Sequence, residues 1–304
     1  GWDPARGDPL DDHFASAAAQ WPWPPIPPAV PGTGVAPSDT AAPGRQAPGR
    51  PPPGGPPPGG LLDITLPWAT FTGTADACGT LGRIGPITAP EARRLTSLAL
   101  RNPSTQWRII LTDADRHAIA VARVPRARPA TGSHDPPGST RAAGIVGRVT
   151  IVLPADALDT APASHPRLTD GIYARLLAAA RRARDRARQQ AEADRHAPGG
   201  CAHITASSAY QPPPRIREYV AARDHTCRGP RCGQPAGRAD LDHTIPYDQG
   251  GPTCPCDLGA VCRRHHRLKQ HPGWTVTQPK PGMFCWTTPA GRTYTTYPHQ
   301  YCTG

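Results

Sequence analysis

Two short pairs of potential metal ligands stand in the C-terminal third of the chain. Cys227 and Cys232 have four residues between them, and Cys262-Arg263-Arg264-His265 begins thirty residues after Cys232. Two close pairs separated by a longer stretch present three thiolates and one imidazole to a single tetrahedral zinc ion, each pair on its own tight turn. Reduced cysteines that merely cluster are the competing reading. Cys254 and Cys256 leave one residue between them, a less usual chelating spacing. They read as loop thiols outside the site, or as a replacement for one ligand. Between the pairs runs Asp240-Leu241-Asp242-His243-Thr244-Ile245-Pro246, with an acidic residue beside a His at the end of a short strand. That sets a ligand for a metal ion next to a candidate base. His265 and His266 are neighbours on a short basic helix from Cys262 to Lys269, and adjacent helical residues point about 100° apart. His265 can then complete the zinc set while His266 turns toward Asp242.

The elements that must hold these residues can be read around them. Gly250-Gly251 makes a loop after the strand, and Asp257-Leu258 leads back toward the helix. A short helix, Ile216 to Ala222, opens the region beside Arg215, Arg217 and Arg223, and either touches DNA or packs on the zinc module. Two strands, Trp274 to Thr277 and Met283 to Thr287, close it, with Trp274 and Trp286 as core residues. His203, His225, His271 and His299 read as surface or loop histidines, and Cys78, Cys201, Cys285 and Cys302 carry no visible chemistry.

Upstream, residues 171–196 form a helix in which Ala179, Ala183, Ala187 and Ala191 recur every four residues, seven Arg face three acidic residues, and Gly199-Gly200 ends the run. It reads as a solvated basic connector at 171–197, or as a helix lying along a phosphate backbone. Leu62 to Leu66, Trp107 to Leu111, Ala118 to Ala122 and Val149 to Leu153 read as strands, and Pro90 starts a short helix. These make residues 61–160 a small mixed α/β piece. Residues 125–143 read as a Pro/Gly/Arg-rich loop. Residues 1–60 read as a disordered linker, with 15 prolines between positions 21 and 60.

Composition bounds the reading. Pro (42) and Gly (31) are nearly a quarter of the 304 residues, and only 3 Phe and 7 Tyr are present. Compact pieces joined by unstructured chain are expected rather than one large core. There is no apolar run of membrane-spanning length and no visible signal peptide. Those absences, with nine cysteines of which five fall between Cys227 and Cys262, point to metal binding in a reducing, cytoplasmic compartment. Thirty-four Lys and Arg against 23 Asp and Glu give a net charge of +11, which suits a polyanionic partner or simply a solubilising surface. The chain lacks an initiator Met, its only Met being Met283, and reads as a fragment of a longer frame.

Asp242-His243, Gly250-Gly251, Asp257-Leu258 and Cys262-Arg263-Arg264-His265-His266-Arg267-Leu268-Lys269 together resemble the HNH endonucleases, built from a β-hairpin and a helix around one metal. The likeness extends from Pro212-Pro213-Pro214-Arg215 to Thr293-Tyr294-Thr295-Thr296. This stretch looks like the C-terminal domain of the actinobacterial HNH proteins with an upstream domain of unknown function (family 222, the 13E12 repeat), and residues 61–125 resemble the end of that upstream domain. About two thirds of the chain is covered. The resemblance implies an α+β fold with a zinc-stapled ββα-metal nuclease domain at 205–297. It also implies hydrolysis of DNA phosphodiester bonds. His243 would be the general base, and Asp242 and His266 the ligands of one magnesium or manganese ion. Arg263, Arg264, Arg267 and Lys269 would contact phosphates. Cys227, Cys232, Cys262 and His265 would hold structural zinc. Asp257 stands where the family usually has Asn; it can accept the same bond from His243 through a carboxylate oxygen and should raise the imidazole pKa, which leaves three readings: activity with a shifted pH optimum, a metal drawn out of place, or a degenerate copy. DNA is the expected partner, a homodimer is one route to double-strand cleavage, and no membrane partner is expected. A zinc-stabilised DNA-binding module without cleavage is the alternative. A zinc-stapled surface for a protein partner is a further one.

Overall fold

Alternating apolar residues in Leu62-Asp63-Ile64-Thr65-Leu66 bury Ile64 and Leu66 and set the first strand. The structure is a computed structural model, and it describes residues 62–82, 84–124, 147–162, 165 and 170–303. The N-terminal linker and the 125–143 loop expected from composition lie outside the described residues. The elements run β1 (Leu62–Pro67), α1 (Trp68–Thr72), β2 (Gly79–Leu81), β3 (Gly85–Ile87), α2 (Ala89–Leu100), β4 (Gln106–Thr112), β5 (Ala118–Val124), β6 (Gly147–Pro154), α3 (Ala157–Thr160) and α4 (Asp170–His196). After them come α5 (Pro214–Asp224), β7 (Asp240–His243), β8 (Leu258–Val261), α6 (Arg263–Lys269), β9 (Thr275–Lys280), β10 (Met283–Thr287) and β11 (Thr293–Thr296). The fold is mixed α/β.

The first six strands form one sheet in the order β3-β2-β1-β6-β4-β5. Strand β6 runs parallel to both β1 and β4, with Val149 opposite Ile64 and Ile151 opposite Ile109. A strand flanked by parallel partners is covered on both faces, which explains the continuous apolar run Ile151-Val152-Leu153. Alternate residues of β4 and β6 serve opposite faces. Ile109, Leu111, Val149, Ile151 and Leu153 meet a core that includes α1, α2 and α4. Ile110 and Val152 meet Ala222 of α5 and Tyr301 near the C-terminus.

The basic helix differs from its expected role. Ile172, Tyr173, Leu176, Leu177, Ala179, Ala180 and Ala183 of α4 are all buried in the sheet's core. The opposite face and the second half, carrying exposed Arg181, Arg182, Arg186, Arg188 and Arg195, stand in solvent. Small Ala side chains at four-residue spacing let the helix approach the sheet closely, so an arginine-rich sequence still supplies a core face. Among the described residues, no helix is long and apolar enough to cross a membrane.

The C-terminal segment ties the two ends of the fold together. Tyr301 Oη donates to the Ala222 carbonyl at 2.7 Å, its amide donates to the Arg116 carbonyl at 2.9 Å, and the His299 amide donates to the Arg223 carbonyl at 2.9 Å. His225 and His299 stack with ring centroids 4.1 Å apart, against the edge of Tyr301. Burial, then the neighbouring His225, Arg228 and His117, lower the His299 pKa to about 4. Its folded value lies below its unfolded one, so the unfolded chain takes up the proton first. Stability present above pH ~6.5 is therefore lost as pH falls toward about 4. Because His299 keeps some access to solvent, the expected loss is about 1–2 kcal/mol. Urea midpoints followed from pH 7 to 4 should fall, and His299→Phe should flatten that slope. An unchanged slope in the variant would exclude His299 as the titrating group.

Candidate active site and metal centres

Strands β7 and β8 pair antiparallel, with Asp240 opposite Val261, Asp242 opposite Gly259 and His243 opposite Leu258. Helix α6 follows β8 after a single residue, Cys262. This ββα unit is seated on α5, where Ile216, Val220 and Leu258 form a small core. A buried ion pair fixes the seat. Arg223 Nε donates to Asp224 Oδ1 at 2.7 Å, Asp224 Oδ2 accepts the Ala260 amide at 2.8 Å, and the Arg223 guanidinium donates to the Leu258 carbonyl at 2.8 Å and the Pro255 carbonyl at 2.5 Å.

His243 ends β7 and is buried, with Nε2 2.9 Å from Thr253 Oγ1 and its ring stacked on Tyr210. Asp242 Oδ1 lies 3.5 Å from His266 Nε2, and Asp242 Oδ2 accepts from Lys269 Nζ at 2.8 Å. Lys269 also donates to the His243 carbonyl. His266 Nδ1 lies 3.0 Å from Asp240 Oδ2. Thus Asp242, His243, His266 and Lys269 come together. Lys269 points inward on Asp242 rather than out with the phosphate contacts expected of it, while Arg263, Arg264 and Arg267 are exposed on the same helix.

Asp257 sits differently from its expected place. Its Oδ1 accepts the Ile245 amide at 2.9 Å, and its buried Oδ2 has no hydrogen-bond partner among the described residues. The ring of His243 is hydrogen-bonded to Thr253 instead. Burial, the largest influence, lowers the His243 pKa, and the opposing pull of Asp257 and Asp242 does not reverse it. Asp257 does pull the His243 pKa upward, as expected of an opposite charge, but desolvation outweighs it and the net shift is downward. Burial also pushes the Asp257 carboxyl pKa up from its ordinary value.

Gly251 shapes this loop by close approach. A Cβ there would lie 1.9 Å from the Ile245 carbonyl oxygen, which is backbone and cannot swing away. Gly251→Ala should displace Ile245, loosen its bond to Asp257 and cost about 1–3 kcal/mol by overpacking. Thermal unfolding of the purified variant tests this, and an unshifted Tm would contradict it.

The described residues include two Cys/His clusters that could hold a metal such as zinc. The first unites the four predicted ligands Cys227, Cys232, Cys262 and His265. Cys232 and Cys262 Sγ atoms are 3.9 Å apart, and His265 Nδ1 is 3.5 Å from Cys227 Sγ and 3.3 Å from Cys262 Sγ. The amides of Gly229 and Cys262 point at the Cys227 sulfur at 3.3 and 3.1 Å. Burial lowers the His265 pKa, favouring the neutral imidazole a metal needs. Strands β9–β11 back this cluster through Trp286, which is fully buried and donates from Nε1 to the Arg228 carbonyl at 2.9 Å.

Sequence reasoning missed the second cluster, Cys201, His203, Cys254 and Cys256. Cys254 and Cys256 do stand outside the first cluster, as expected, but they meet Cys201 and His203, which had been set aside. The only signal was two pairs with one residue between the members, about fifty positions apart.

No family model matches the chain, and no solved structure matches it. Over 90 residues it is 48% identical to the uncharacterized protein Rv3776 of Mycobacterium tuberculosis, covering 29% of this chain and 17% of that protein. Over 96 residues it is 45% identical to the uncharacterized proteins Rv2100 and MT2160 of M. tuberculosis strains, covering 31% of this chain and 17% of each. The match thus spans about a sixth of the length of these relatives.

Proposed function

We propose that the chain is a metal-dependent DNA endonuclease of the HNH kind that hydrolyses phosphodiester bonds. The observation that carries this is the ββα unit, which gathers Asp242, His243 and His266 beside a helix bearing exposed Arg263, Arg264 and Arg267. His243, whose pKa burial lowers, takes the proton of the attacking water. Asp242 Oδ1 and His266 Nε2 face one another at a separation that suits two ligands of one small cation, and the carboxylate suits magnesium or manganese, with water and phosphate oxygens completing the set. Such a cation, when bound, polarises the scissile phosphate and stabilises the leaving oxygen. The three arginines grip neighbouring phosphates. Cys227, Cys232, Cys262 and His265 hold structural zinc, which a small module with little apolar surface needs.

A DNA-binding module without cleavage is the second reading. It is favoured by Lys269, whose ammonium occupies Asp242 Oδ2, and by Asp257, whose Oδ1 is spent on Ile245. Supercoiled-plasmid cleavage by the full chain, with magnesium or manganese and with EDTA, separates the two. Metal-dependent nicking supports the nuclease. Intact plasmid together with salt-sensitive DNA binding supports the second reading, and absence of both defeats each of them.

A further inference from the structure

We propose that Cys201, His203, Cys254 and Cys256 bind a second zinc ion, which clamps the segment after α4 onto the loop carrying Thr253 and Asp257. Four ligands about 2.0–2.3 Å from a common ion at tetrahedral angles lie roughly 3.3–3.8 Å from one another. Here the Cys201 and Cys254 sulfurs are 3.8 Å apart, and Cys256 Sγ is 3.5 Å from His203 Nδ1. All four ligand atoms fall within 4.8 Å of one another. Similar edges, 3.9 and 3.5 Å, occur in the cluster of Cys227, Cys232, Cys262 and His265. A disulfide does not account for the geometry, because it would need the Cys201 and Cys254 sulfurs about 2.05 Å apart. Three thiolates and one imidazole select zinc over magnesium or calcium.

The surroundings show what the ion would hold. The Ala202 amide donates to Asp194 Oδ1 at 2.7 Å, tying this segment to the end of α4. A few residues on, the Ser207 amide donates to the Thr253 carbonyl at 2.9 Å, and Tyr210 stacks on His243. On the other side, the Asp257 and Leu258 amides both donate to the Cys254 carbonyl at 3.0 Å. One ion thus closes a loop of about fifty residues and braces the strip between Thr253, which holds the His243 ring, and Asp257. That bracing is independent of whether the protein cuts DNA.

The test is the zinc content of the full chain, purified with zinc and desalted, measured by mass spectrometry of the metal. Two zinc ions per chain are expected. Cys201→Ser/His203→Ala, which alters only the segment outside the ββα unit, should retain one. Cobalt titration should saturate at two equivalents with thiolate charge-transfer bands, and at one equivalent in the variant. Hydrogen exchange at the Asp257 and Leu258 amides should speed up at least tenfold in that variant. One zinc per chain in the unaltered protein, two in the variant, or seven rather than nine titratable thiols from a Cys201–Cys254 disulfide would each overturn the proposal. Should the variant not fold, the content of the unaltered chain still decides: two ions support it and one refutes it.

Discussion

His243→Ala should slow metal-dependent DNA cleavage by about 10²–10⁴-fold, the usual contribution of a positioned general base. The side chain is buried at the end of β7, its Nε2 is held by Thr253, and Asp242 precedes it in the chain. Removing the imidazole takes away the proton acceptor but leaves Asp242 and His266 in place. The variant should therefore keep its zinc content and its affinity for DNA while losing turnover. Added imidazole should restore part of the rate, which a merely structural histidine would not permit. Nicking rates of the full chain with and without imidazole provide the readout, and a loss under tenfold would remove His243 from the base role. Asp257→Asn bears on the same question from the other side. The amide matches the carboxyl in shape and its oxygen can still accept the Ile245 amide, so cleavage should survive the change.

Asp224→Ala should be the most damaging substitution away from the metal ligands, costing about 3–5 kcal/mol, because it strands a buried guanidinium. Asp224 is fully buried and Arg223 nearly so. Among the described residues the carboxylate is the only anion bonded to Arg223, and it also fixes the Ala260 amide of β8. The remaining Arg223 bonds reach the Pro255 and Leu258 carbonyls, so the damage spreads to the loop before β8. By contrast, Glu91→Ala breaks the exposed pair with Arg94 on α2 and should leave the urea midpoint nearly unchanged. Urea midpoints of the two variants at equal zinc loading compare these directly. Equal losses would show that burial of the Arg223–Asp224 pair carries no special weight.

The sequence made the chemistry of α6 and its preceding hairpin legible because ligand spacing there is local. Cys227 with Cys232, and Cys262 with His265, sit on single turns, and the hundred-degree step between His265 and His266 sends them to different neighbours. Strands β1, β4, β5 and β6 were legible as apolar runs of sufficient length. The three-residue strands β2 and β3 were not, since so short a run has no period. Helix α4 was legible as a helix but not as core, because alanine buries as readily as it tolerates solvent. The Arg223–Asp224 pair and the second Cys/His cluster were hidden for a common reason. Both depend on partners tens of residues away, and an Arg at a helix end reads as a surface charge until β8 covers it.

The C-terminal hook of Tyr301 also governs how the chain can be divided. Ala222 and Tyr301 belong to the same apolar cluster as Ile110, Ala118 and Val152 of the large sheet. A piece beginning near residue 205 would carry one half of that contact into solvent, and the sheet alone would carry the other. Each half would bear a small sticky patch, and the two would be expected to self-associate when separated and to recombine when mixed. Limited proteolysis between α4 and α5 would then yield fragments that stay together until denatured, so a clipped preparation would look intact by size and betray the cut only under denaturing conditions.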